Sequence, residues 1–156
     1  SIRTFAYFIQ PKIFPKGKEI TELTETIDIM PTILNTLEIP EKTSSLKIQG
    51  KNLLEYINNS NISTKSNSDQ NELSGRFAFS ETGGVEGPWP SPNEPNVKCI
   101  RNFKWKLIHN LTPGNWELYD LEKDPNENEN LVDSFPDIVK KLKLKMGDIE
   151  KSCDES

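Results

Sequence analysis

Few residues in this chain of 156 can do acid–base, metal or nucleophilic chemistry. The sole histidine is His109, and the two cysteines are Cys99 and Cys153. A catalytic imidazole needs a partner that fixes its tautomer, and a zinc site needs several His, Cys or carboxylate ligands. No second His and no Cys pair stands near His109. The G-x-S-x-G elbow, the phosphate-binding loop and the dinucleotide fingerprint are all absent. Carboxylates are densest from Asp120 to Glu129, a turn-rich stretch where Asp and Asn ordinarily bond their own backbone. From the residues alone, the chain is a structural module without a complete active site.

Composition agrees. Lys and Arg number 19 against 24 Asp and Glu, giving a net charge of -5. That balance argues against a general polyanion binder, and no nucleic-acid partner is expected. The basic residues cluster locally, in 98–106 and 140–145, and the second cluster reads as the solvated face and C-terminal turns of a helix, where cations suit the helix dipole. Hydrophobic residues make up 33% and the mean hydropathy is -0.65. Nothing approaches the run of about 20 apolar residues that spans a bilayer. The opening SIRTFAYFIQP carries no signal-peptide pattern, and the compartment cannot be read. Asn58, Asn61 and Asn110 open N-x-[ST] triplets, which arise by chance in so Asn-rich a chain.

The elements that must position any site follow from pattern. Phe5–Ile9 is aromatic and β-branched and is expected to be a strand, buried on both faces in a larger sheet. Asp28 is expected to cap a helix in which Ile29, Ile33, Leu34 and Leu37 fall at helical spacing, with Pro31 in its first turn. Gly50 precedes a short helical LLEYI. Residues 58–75 are polar low complexity and read as a mobile loop. After them come strands at 76–81, 97–101, 104–109 and 117–121. The middle two form a hairpin around Asn102 and Phe103, with Trp105, Leu107 and Cys99 on one face. The last helix begins beside Pro136 and carries the stripe Phe135, Ile138, Leu142, Met146 and Ile149. About four antiparallel strands packed by one helix make a stable two-layer unit.

Three segments, in order, resemble one family. IDIMPTILNTLEI followed by IQGKNLLEYI is similar to the segment of sulfatases where the catalytic sheet ends and the chain crosses to the C-terminal subdomain. FAFSE, then VKCIRNFKWKLIHN, resembles the strands of that subdomain. ELYDLEKDPNENENL resembles the family's ELYDL-x-x-DP-x-E-x-x-NL stretch. The likeness covers most of the chain and fails in 58–75 and 84–96.

The resemblance implies an α/β protein of the alkaline-phosphatase-like superfamily, α+β within this piece. Residues 1–57 would be the tail of the catalytic α/β domain, 58–75 a polar loop, and 76–156 the antiparallel sheet with its helix. It implies hydrolysis of sulfuric esters by a formylglycine made from C/S-x-P-x-R, beside calcium or a similar divalent metal. The substrate would be a sulfate-ester small molecule or a sulfated glycan, and the partner the rest of the catalytic domain. None of the catalytic apparatus matches here. Cys99-Ile100-Arg101 lacks the Pro, and Ser134-Phe135-Pro136-Asp137 is followed by Ile138 where Arg is needed. No catalytic residue and no metal ligand is therefore carried over. What remains is fold support and the substrate rim, for which Glu81, Trp89, Arg101 and His109 are the candidates. Trp89 is favoured because an exposed aromatic can stack on a sugar ring. A phosphodiesterase or phosphonate monoester hydrolase of the same superfamily, and a non-catalytic binding module, are the alternative readings.

Overall fold

The computed structural model describes residues 5–20, 22–39, 48–58, 73, 75–83, 95–111 and 113–154. The chain divides into two compact units, 1–67 and 68–156.

In the first unit a 3-10 turn (Thr26–Asp28) leads into α1 (Ile29–Thr36), and α2 (Leu54–Asn58) follows. The apolar pattern of α1 is not what it buries. Pro31 and Thr32 are buried, whereas Met30, Ile33 and Leu37 are 57, 41 and 61% exposed. Thr32 is buried because its hydroxyl works in two directions. It donates to the Asp28 carbonyl at 2.6 Å and accepts from the Leu53 N–H at 2.9 Å. Asp28 is fully buried for a similar reason, and here the expected role changes. Its carboxylate makes no cap bond to α1. It accepts instead from the Glu25 N–H at 2.8 Å and, across 23 residues, from the Lys51 N–H at 2.8 Å. A buried carboxylate is tolerated where such donors surround it. Together Asp28 and Thr32 staple α1 to the segment that begins α2, where Leu53, Leu54 and Ile57 are buried.

The close approach needs Gly50. A Cβ there would lie 2.3 Å from the Ile27 carbonyl oxygen, and Gly50 has φ 96°. At the other end of α1, the Ile39 N–H bonds the Leu34 carbonyl and the Glu38 N–H bonds the Asn35 carbonyl, a Schellman closure. Glu38 occupies the left-handed position, φ 55°, where glycine is usual.

The strand expected at Phe5–Ile9 is not one. Residues 5–10 join no ladder, and Phe5, Tyr7 and Ile9 are more than four-fifths exposed. A strand exists only when a neighbour takes up its backbone N–H and C=O groups, and no described strand does so.

The second unit is a four-stranded antiparallel meander of order β1 (Ala78–Gly83), β2 (Pro95–Arg101), β3 (Trp105–Asn110) and β4 (Asn115–Asp120), followed by α3 (Pro136–Asp154). Register fixes its faces. Phe79 opposes Ile100, Ile100 opposes Leu107, and Leu107 opposes Leu118. These residues, with Trp105, meet Val139, Leu142 and Met146 of α3 in the core. Cys99 opposes Ile108, so it lies on the other face from Trp105 and Leu107, contrary to expectation. Alternation alone requires this, because even a two-residue loop at Asn102 and Phe103 would pair Ile100 with Trp105, and the observed turn moves the register by two residues without changing the faces. Asn102 is buried, its N–H donates to the Trp105 carbonyl, and its side-chain oxygen accepts from the Lys104 and Trp105 N–H groups. It closes the loop as an Asx turn, which puts Arg101 opposite Lys106.

The free edge of β4 is covered by its own chain. Asn130 accepts from the Leu118 N–H, and the Leu131 N–H donates to the Leu118 carbonyl. Asp120 and Asp124 build the turn between. Asp120 accepts from the Glu122 and Lys123 N–H groups, and Asp124 from those of Asn128 and Glu129. Those backbone donors hold the Asp124 carboxyl below its ordinary range. Pro136 opens α3 at the position where a missing N–H costs nothing.

Candidate functional site

One row of side chains crosses all four strands on the face that carries α3. Glu81 opposes Lys98, Lys98 opposes His109, and His109 opposes Trp116. Alternation puts all four on the helix side. The imidazole of His109 lies flat on Trp116, with ring centroids 3.7 Å apart and planes 6° from parallel. The Lys143 ammonium of α3 sits 3.9 Å from the centroid of the Trp116 ring. Lys98 pairs with Glu150 of α3 at 2.8 Å. The row is thus a polar seam closing the end of an otherwise apolar interface.

Its electrostatics favour a neutral imidazole. Burial, then the ammonium groups of Lys143 and Lys98, push the His109 pKa below its ordinary 6.5, and Glu150 opposes them. Adding a proton would place a third cation beside two others. Neutral His109 can both accept and donate a hydrogen bond, and among the described residues no second acid–base group pairs with it to relay its proton.

The opposite face is polar in a different way. Lys106 is nearly buried and paired with Glu127. The Tyr119 hydroxyl donates to Glu117 at 2.7 Å, and the Asn110 amide donates to the other oxygen of the same carboxylate at 2.7 Å. Burial and that carboxylate push the Tyr119 phenol up to about 12. Burial also pushes the Cys99 thiol up, against the smaller pull of Lys106 and Arg101, so it is not an activated nucleophile. Asn110 opens one of the three glycosylation triplets, and its amide is engaged in this network.

The four rim candidates are therefore divided. Glu81 and His109 share the row, separated by Lys98. Arg101 projects from the other face, where its Nε donates to the Asn102 carbonyl at 3.3 Å. Trp89 lies outside the described residues. Lys98, Trp116, Lys143 and Glu150 were missed in the sequence. The signal was present as alternation through VKCIR and WKLIHN, which puts Lys98 and His109 in step once the hairpin register is known. Among the described residues no group of three or more His, Cys, Asp or Glu side chains could hold a metal ion. The side chains described do not fit a cation, and no step is derived through one.

Residues 87–152 match the family of the N-sulphoglucosamine sulphohydrolase C-terminal region. No curated protein matches the chain. Solved structures do. One is a protein in complex with its substrate D-glucosamine-2-N,6-O-disulfate, at 21% identity and a TM-score of 0.68, covering 94% of this chain and 28% of that one. Another is a 2-O GAG sulfatase, at 24% identity and TM-score 0.56, covering 82% and 25%. A third comes from a Bacteroides thetaiotaomicron locus for the metabolism of multiple glycosaminoglycans, at 20% identity and TM-score 0.54, covering 81% and 26%. The chain has the fold of the C-terminal portion of a sulfatase, α+β in this piece. It spans about a quarter of the length of the structures it matches.

Proposed function

We propose that this chain is the C-terminal part of a hydrolase that removes sulfate from a sulfated sugar. The observation that carries the reading is the fold shared across 94% of the chain with a protein that binds D-glucosamine-2-N,6-O-disulfate. The formylglycine nucleophile and its divalent cation, calcium or a similar ion, belong to the remainder of that enzyme. That group would supply covalent sulfuryl transfer in two steps, the bond from sulfur to the sugar breaking as the bond to the nucleophile forms, and water restoring the nucleophile once sulfate has left.

This chain's part is support and the rim. In this reading Met30, Ile33 and Leu37 of α1, with Phe5, Tyr7 and Ile9, are the surfaces that the remainder of the large sheet covers. The exposed apolar side of α1 supports this, because a helix normally turns its apolar stripe to a core. His109 and Glu81 are the rim groups, offering an imidazole and a carboxylate to sugar hydroxyls.

The experiment is expression of this chain joined to its upstream coding sequence, with sulfate release measured on D-glucosamine-2-N,6-O-disulfate. Release by the longer protein, and none by residues 1–156 alone, is expected. Turnover of an aryl phosphodiester or phosphonate monoester without sulfate release would move the assignment to the sister hydrolases.

A further inference from the structure

Helix α3 carries a basic surface of which the row at its side uses only Lys143. Lys140, Lys141, Lys143 and Lys145 fall within six residues, and no acidic residue lies from Ile138 to Gly147. In a chain of net charge -5, this is a local reversal of sign. Successive residues of a helix are about 100° apart, so the four ammonium groups wrap the outside of α3 over a length of about 8 Å. All four side chains are exposed, as is Leu144 between them, at 64%. The flanking pair is anchored. Lys143 lies over Trp116 at 3.9 Å and Lys145 near Phe77 at 6.0 Å from the ring centroid. These contacts hold two charges at either border of the patch, while Lys140 and Lys141 occupy its centre.

Gathering like charges on neighbouring turns of a helix costs stability. The macrodipole does not explain it, because the cluster lies in the first half of a helix running from Pro136 to Asp154. An occupant of opposite charge does. A lipid surface fits poorly, since the apolar stripe such a helix would insert, Val139, Leu142 and Met146, is already buried against the sheet. An extended chain with regularly spaced sulfates fits well. It brings several anions at once, and its counterions are released on contact.

We infer that the outer face of α3, through Lys140, Lys141, Lys143 and Lys145, binds a sulfated polysaccharide chain as a secondary site. This rests on the sulfated-sugar reading above and extends it from one sugar to a polymer. The patch captures the polymer and raises the local concentration of sulfated sugar around the enzyme.

The test uses residues 1–156 and a fully sulfated heparin oligosaccharide, with titrations at several salt concentrations. The double variant Lys140→Gln, Lys141→Gln removes two charges that no aromatic ring holds, so the fold is retained, which an unchanged thermal melt verifies. Affinity is expected to fall about tenfold and its salt dependence to become shallower. A variant that binds as tightly as the parent overturns the assignment of the surface. Equal binding of heparin, polyglutamate and anionic phosphatidylserine vesicles overturns the assignment of the ligand. Failure here is distinct from failure of the enzymatic reading. An enzyme that releases sulfate from the disulfated monosaccharide, while this chain ignores heparin, refutes the secondary site alone. Heparin binding by a protein that hydrolyses no sulfate refutes only the enzyme.

Discussion

Two residues decide most at the smallest scale. Gly50 permits the approach of its own backbone to Ile27, and through it the bonds from Lys51 to Asp28 and from Leu53 to Thr32. A Gly50→Ala change meets a carbonyl oxygen at 2.3 Å and a left-handed φ at once. A cost of about 2 kcal/mol or more is expected, from strain and from donors left without acceptors. All three tryptophans lie in the other unit, so their fluorescence would miss the effect. Amide exchange at Lys51 and Leu53 reports it directly and should quicken at least tenfold.

His109 gives a second prediction. Its pKa is lowered on folding, so below the ordinary value of 6.5 the unfolded chain binds a proton that the folded chain resists. Stability attached to this residue is therefore whole above that pH and declines as pH falls through it. The charged groups around it are Lys98, Lys143 and Glu150, with Glu81 further along the row. Thermal melts from pH 8 to pH 5 should show the decline, and His109→Gln should flatten it. A parallel decline in both proteins would place the titration elsewhere.

At the scale of elements, the sequence carried the meander and its helix well. Strand alternation and the stripe Ile138, Leu142, Met146 and Ile149 follow from periodicity, which needs no knowledge of partners. The failures differ in kind. The reading of Cys99 fails on alternation, since Trp105 and Leu107 are in step with Ile100 with or without the two-residue shift that the Asn102 turn brings. Phe5–Ile9 reads as a central strand and has none of the neighbours that would make it one. Of the six residues of the candidate site, two were legible as residue types, Glu81 and His109. The rest depends on α3 lying across the row, which brings Lys143 and Glu150 to it from distant sequence. The helix–sheet contact completes the core of this unit. Leu142 is fully buried among Ile100, Leu107 and Leu118. Leu142→Ala should cost about 2–5 kcal/mol, the usual range for a fully buried leucine. Urea denaturation followed by tryptophan fluorescence measures it, because Trp105 sits in that core.

At the scale of the whole molecule, the two units differ in how completely they satisfy themselves. Residues 68–156 hold a continuous core in which seven residues, from Ile100 to Met146, are buried together. Their β4 edge is covered, and their polar groups at the edge and turn are bonded. Residues 1–67 hold a tightly stapled centre, Asp28, Thr32, Leu53 and Leu54, beneath an outer surface of Met30, Ile33 and Leu37. Exposed apolar side chains of that size, gathered on one helix, mark a surface that water is not meant to face. Deleting residues 1–67 is therefore expected to leave the second unit folded, with a cooperative melt by tryptophan fluorescence within a few degrees of the parent. The parent should bind a hydrophobic dye and scatter light on heating, whereas the shortened chain should do so less. On the proposed reading, joining the chain to its upstream coding sequence should suppress dye binding again, and dye binding that persists would count against that reading. A shortened chain that fails to fold, beside a parent that melts cooperatively as a monomer, would show that the two units share one core. In that case the exposed face of α1 would need another explanation than a missing neighbour.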